Sequence, residues 1–194
     1  MMTCNKAIDI KTFASINSSR SYFLDTNVLY WYVYPRYNTV KTHTQHQAMP
    51  YYDFVDKLVS DGNPLYTSIY NITELLHVVE KNEYDIYQTT HPGLPLTIKD
   101  YRKIDAERGN LKRILTTTMS NIKNICTILD FNFTQTILDE FINSLDSHRC
   151  DTFDYAILRN CIAEKQLNVI SDDSDFATME LINLYTANAT VLSK

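Results

Sequence analysis

The stretch Asp151-Thr-Phe-Asp154-Tyr-Ala-Ile-Leu158, followed by Val169-Ile-Ser-Asp-Asp-Ser-Asp-Phe176, decides how this chain reads. It gathers Asp151, Asp154, Asp172, Asp173 and Asp175 around one apolar strand. Two more pieces share its form, Tyr22-Phe-Leu-Asp25-Thr-Asn-Val-Leu29 and Ile72-Thr-Glu74-Leu-Leu76. Each time an apolar run ends, carboxylates come just after it. Carboxylates collected at one end of several strands repel one another, by about 3 kcal/mol per pair at ~5 Å and an effective dielectric of ~20. A bound cation relieves that repulsion, so the cluster predicts a metal site.

Outward from these pieces the chain alternates strands and helices. Ser21 to Leu24 predicts a buried strand, and Thr26 to Tyr34 a helix stopped by Pro35. Residues 36–47 carry no period. Tyr51, Phe54, Val55, Leu58 and Val59 recur at helical spacing, with Pro50 suited to a first turn and Gly62 to the exit. Leu65 to Thr67 is strand-like, and Ile72, Leu75, Leu76 and Val79 mark the helix that carries Glu74. After the break at residues 91–96, Thr97 is placed to cap one long polar helix running past Gly109 toward Ile122. Ile125 to Phe131 predicts a strand, and Thr134 caps a helix with an apolar stripe. Phe153 to Lys165 is helical, and Leu167 to Ile170 and Ile182 to Tyr185 are strands. This alternation predicts an α/β fold, a three-layer α/β/α sandwich with a mainly parallel central sheet. Parallel strands bring their carboxyl ends to one edge, where ligands bind. Asp25, Glu74, Asp151 and Asp154, and Asp172 to Asp175 all fall near that edge.

Composition narrows the class. The 194 residues fit one domain. Three glycines and five prolines argue against long linkers. Cys4, Cys126, Cys150 and Cys161 show no CxxC spacing, so a reduced, cytoplasmic protein is expected. No run approaches the ~18 apolar residues of a membrane span, and residues 1–20 lack the apolar core of a signal peptide. The net charge of −5 excludes a protein that lives by diffuse affinity for nucleic acid, so any such contact is local. His43 and His46 sit three apart without a third ligand, which disfavours zinc.

The motifs taken together resemble the PIN domain, the metal-dependent ribonuclease fold of VapC-like toxins. They run in order as Leu24-Asp25-Thr26-Asn27, Glu74-Leu75, Asp151-x-x-Asp154 and Ser171-Asp172-Asp173-Ser174-Asp175-Phe176. The resemblance implies Mg²⁺ or Mn²⁺ held by Asp25, Glu74, Asp154 and Asp173, which are also the catalytic acids. Asp151 and Asp175 are secondary acids, Thr26 and Asn27 stand beside the metal, and Ser171 replaces the family's frequent threonine. It also implies RNA as substrate and, for a toxin, an antitoxin protein as partner; a homodimer is a further expectation. The matching region is residues 21–186, a single domain with a helical extension about 83–120, between a polar lead at 1–20 and a tail at 187–194. Residues 36–50 are a second stretch longer than the compact toxins need.

Each acid also has a plainer reading. Asp25 and Asp151 could simply cap helices, Asp154 could favour a helix dipole, and Glu74 could be a solvated helix residue. The basic run Lys99 to Arg113 reads as a solvated face, or as a rim where Arg102, Lys103 and Arg113 meet RNA phosphates. Tyr30, Tyr32, Tyr34 and Tyr37 could stack on bases or pack. The leading function is a divalent-metal-dependent endoribonuclease, and the alternative is a non-catalytic RNA-binding or regulatory PIN-like module. A metal-dependent phosphatase is disfavoured by the lack of Asp-x-Asp after the first strand.

Overall fold

Tyr22, Phe23 and Leu24 have no exposed surface, and this strand lies at the centre of the molecule. The computed structural model describes residues 6–13, 19–39, 45–93 and 96–193. Its strands are β1 (Lys6–Asp9), β2 (Tyr22–Leu24), β3 (Leu65–Ser68), β4 (Thr127–Leu129), β5 (Asn168–Ile170) and β6 (Asn183–Thr186). They form one sheet in the order β1-β6-β5-β2-β3-β4, with every pairing parallel. The helices are α1 (Thr26–Val33), α2 (Gln45–Ser60), α3 (Ile69–Thr90), α4 (Ile98–Tyr101), α5 (Asp105–Ile125), α6 (Gln135–Asn143), α7 (Thr152–Ala163) and α8 (Ala189–Leu192).

Side chains alternate across a strand, and here both faces are covered. Tyr22, Leu24, Ile170 and Tyr185 point into a core with Val28, Trp31, Tyr51, Phe54, Leu58, Leu75 and Ile122, from α1, α2, α3 and α5. Phe23, Val169 and Leu184 point the other way, against Tyr155, Leu158 and Cys161 of α7, with Phe141 of α6 beside them. The α/β architecture with a parallel sheet between helical layers is therefore as expected. No helix among the described residues is long and apolar enough to cross a membrane.

The topology also positions the site. The chain passes from β2 outward through β3 to β4, then returns to lay β5 on the opposite side of β2. This reversal opens a crevice at the carboxyl ends of β2 and β5, the usual ligand position in such sheets.

Several local expectations change. β1 arises from the polar lead, as an edge strand paired, among the described residues, with β6, and two of its four residues are charged. The helix α2 begins at Gln45, so Pro50 lies inside it rather than in its first turn. Thr97 caps only the short α4; the chain breaks at residues 102–104, and α5 starts after Ile104, which is extended. The strand predicted from Ile125 to Phe131 shrinks to Thr127–Leu129, because α5 runs on to Ile125. Cys4 and His43 lie outside the described residues.

Candidate metal centre

The first piece of the site is built by the end of β2. Asp25 caps α1 through the Thr26 amide (2.7 Å to Oδ1), so its carboxyl is fixed at the sheet's edge. Its Oδ1 also accepts from Asn71 Nδ2 at 3.1 Å, and its Oδ2 from Ser171 Oγ at 2.6 Å and Asn27 Nδ2 at 2.8 Å. Four donors thus converge on one carboxylate that is only 5% exposed. Hydrogen bonds to the charged form favour it. Burial outweighs them, and with the nearby charges of Glu74 and Asp173 it pushes Asp25 up to about 7.

The second piece comes from α3. Glu74 is exposed, and its Oε2 accepts from the Thr26 hydroxyl at 2.6 Å. One turn earlier sits a residue that sequence reading missed, the fully buried Asn71. Its amide bridges Asp25 and Thr26 Oγ1 (3.1 Å each), while its Oδ1 accepts from the Ser68 hydroxyl at 2.5 Å. Ser68 in turn caps α3. A signal was present: Asn71 shares the i, i+4, i+8 stripe of Leu75 and Val79, and a polar residue on a buried stripe must have partners.

The third piece is α7. Asp151 is its N-cap, accepting from the amides of Phe153 (2.8 Å) and Asp154 (2.9 Å). The plainer reading of Asp151 therefore describes what its Oδ1 does, although it also lines the cleft. Asp154, in the first turn, receives no hydrogen bond on its carboxyl among the described residues. Burial, and then the charges of Asp25, Asp151, Asp173 and Glu74, push it up to about 8.

The segment after β5 completes the cluster. Ser171 is fully buried; besides donating to Asp25, its Oγ accepts the Asp173 amide at 2.9 Å. Asp173 caps a 3₁₀ turn, Ser174–Thr178. Oxygens of Asp154, Asp173 and Asp175 all lie within 4.8 Å of one another. Partial burial, then Asp173 and Asp151, raise the Asp175 carboxyl. Asp172 faces elsewhere: it accepts from Tyr51 Oη at 2.7 Å and from the Gln47 amide.

Asp25, Thr26, Asn27, Glu74, Asp151, Asp154 and Asp173 thus line one cleft of about 680 Å³, together with Tyr30, Trp31, Tyr70, His77 and Phe153. Asp175 joins Asp154 and Asp173 in a trio of carboxyl oxygens within 4.8 Å of one another, although it does not itself line the cleft. An all-oxygen donor set of crowded carboxyls with raised pKa values suits a hard divalent cation such as Mg²⁺ or Mn²⁺.

Arg102, Lys103 and Arg113 are not part of this lining. Arg102 holds Glu80 with two bonds (2.5 and 3.0 Å), Lys103 pairs with Asp100 at 2.8 Å, and Arg113 donates to Asn110 and lines a separate cavity. Of the four tyrosines, Tyr30 lines the cleft. Tyr34 is fully buried, donating to Glu83 and accepting from Asn82. Tyr32 sits against Tyr52, their centroids 5.0 Å apart, and Tyr37 sits against Tyr30.

No family model matches this chain, and no curated protein does. Among solved structures, the chain is similar to VapBC2 from Rickettsia felis, crystallised bound to a DNA fragment from its promoter. The identity is 17%, over 86% of this chain and 98% of that one, with a TM-score of 0.48.

Proposed function

We propose that this chain is a divalent-metal-dependent endoribonuclease. The observation that carries the reading is the cleft at the carboxyl ends of β2 and β5. There, Asp25 and Asp154 are pushed up to about 7 and 8 beside Glu74, Asp173 and Asp175. Burial first, and then the charge of neighbouring acids, raises both carboxyls, an arrangement that supports a site built around a cation.

Asp154, Asp173 and Asp175 are the groups that would hold Mg²⁺ or Mn²⁺, with Asp25 and Glu74 lining the same cleft. When bound, such an ion lowers the pKa of water and neutralises charge on a phosphoryl oxygen. The chain's own residues supply orientation. Four donors keep both Asp25 oxygens in place, and the Asn71 bridge keeps Thr26 aligned to donate to Glu74. Glu74 Oε1 accepts no hydrogen bond among the described residues, and it is the atom free to take a proton from an attacking water.

RNA as substrate, the role of a toxin and a partner antitoxin rest on the four-motif resemblance to VapC-like PIN domains. The test is incubation of the purified chain with single-stranded RNA in Mg²⁺, in Mn²⁺ and in EDTA, with p-nitrophenyl phosphate as the small-ester control. Cleavage of RNA alone, abolished by EDTA and by Asp154→Asn, is expected. RNA binding without cleavage in either metal would favour the non-catalytic module, and turnover of the small ester would favour a phosphatase.

A further inference from the structure

Three aromatic rings meet at the mouth of the cleft, two of them exposed and the third, Tyr70, half-buried behind them. Phe153 is 61% exposed and Phe133 39%. Their rings stack at 5.8 Å and 29°, with Tyr70 edge-on to Phe133 at 6.0 Å and to Phe153 at 6.4 Å. Isolated exposed apolar residues are common, but a contiguous group rimmed by polar residues marks a contact site. This group is also held in place. Tyr70 Oη donates to the Phe131 carbonyl at 3.2 Å. Asn160 of α7 donates to the Asn132 carbonyl and accepts the Asn132 amide, both at 3.2 Å, stapling the Phe133 segment onto the helix that carries Phe153.

Position says what the ledge meets. Phe153 lies between the N-cap Asp151 and Asp154, so ring and acid share one helical turn. Phe153 and Tyr70 themselves line the acidic cleft, among whose lining residues there is no lysine or arginine. A polyanion entering that cleft gains no attraction from side-chain cations there. Beyond the proposed cation, affinity along the rest of the strand must come from a source indifferent to charge. An unpaired base offers a π-face to any exposed ring, which is how sequence-tolerant single-strand sites bind.

We propose that Phe153, with Phe133 and Tyr70 behind it, stacks on an unpaired nucleobase next to the phosphodiester at the acidic site. The inference deepens the nuclease reading and rests on it. The test is binding of a short fluorescent single-stranded RNA, its duplex, the matching single-stranded DNA, and RNAs with one abasic position, in Ca²⁺ and in EDTA. KM and kcat are measured alongside in Mn²⁺. Phe153→Ala is expected to weaken single-strand binding and raise KM by about tenfold, with Phe153→Tyr restoring both. One abasic position should weaken the wild type by a similar factor and leave Phe153→Ala unaffected. Equal losses on RNA and DNA place the discrimination elsewhere than in the ledge and still support it. Unchanged Kd and KM for Phe153→Ala overturn the proposal and assign the ledge to contact with another protein. So does an equal loss on intact and abasic strands, which marks a merely structural role, and so does failure of the wild type to bind any single strand. A wild type that binds with this abasic signature but does not cleave overturns the nuclease reading alone.

Discussion

Asp154→Asn isolates the charge of the cluster. No hydrogen bond ends on the Asp154 carboxyl among the described residues, so the amide replaces the acid without orphaning a donor. The folded-state carboxyl is raised to about 8, against about 4 in an unfolded chain. Below pH ~4 the acid is neutral in both states and costs nothing. As pH rises from about 4 to 8, the unfolded state sheds its proton while the folded state retains it. Stability then falls by up to about 1.4 kcal/mol per pH unit and levels off above about 8. The ceiling is about 5 kcal/mol. The neighbouring raised Asp25 shares this cost with Asp154, and a neutral residue in the first turn of α7 forfeits about 0.5 kcal/mol of dipole stabilisation. A net gain of about 2 kcal/mol for the variant at pH 8 is expected, or roughly 4–8 °C in Tm for a chain of this size. The assay is thermal melting in EDTA from pH 4.5 to 8.5, repeated in Mn²⁺. In EDTA the variant should melt above the wild type at pH 8 and level with it near pH 4.5. Mn²⁺ should reverse the order by stabilising the wild type more. A variant that melts no higher at pH 8, or gains equally at every pH, would refute the picture of crowded, buried acids.

Asp25→Asn should abolish cleavage but stabilise less than Asp154→Asn, since Asp25 accepts four hydrogen bonds and an amide turns a donor toward other donors; a melting curve in EDTA at pH 8 ranks the two. Asn71→Ala should cost about 2 kcal/mol and most of the RNA cleavage, because it strips partners from Asp25, Thr26 and Ser68 in a buried setting; an unchanged denaturation midpoint would show that the bridge is idle. Neutralising Arg102, Lys103 and Arg113 together should leave the salt dependence of RNA binding as it was, since none lines the cleft. A log–log slope shallower by about 0.7 per residue would return them to the RNA interface.

The sequence by itself determined the element types and the acid motifs. Apolar runs such as Tyr22 to Leu24 and Val169 to Ile170 mark strands buried on both faces, because a parallel sheet between helices leaves no polar face to alternate. Asp25, Thr97, Thr134 and Asp151 announce helix starts, and each does cap one. Capping is local chemistry, legible within three residues. Only the tertiary structure decided what converges. Lys6–Asp9 carries almost no strand signal, because an edge strand needs one neighbour, and that neighbour lies in residues 183–186. The break before α5 is equally silent: Tyr101, 1% exposed, is buried at the end of α4, and Arg102 just beyond it binds Glu80 of α3. Among the acids of one short loop, the chain alone could not tell that Asp172 turns to Tyr51 while Asp173 and Asp175 turn to Asp154. Adjacent residues leave a tight turn in different directions, and which direction meets a partner depends on other elements, for Asp172 one that lies 121 residues away. Asn71 and the Phe153 ledge are of the same kind. Their side chains acquire meaning from the crossover that returns β5 beside β2 and sets α7 against the start of α3, a juxtaposition that no local periodicity encodes.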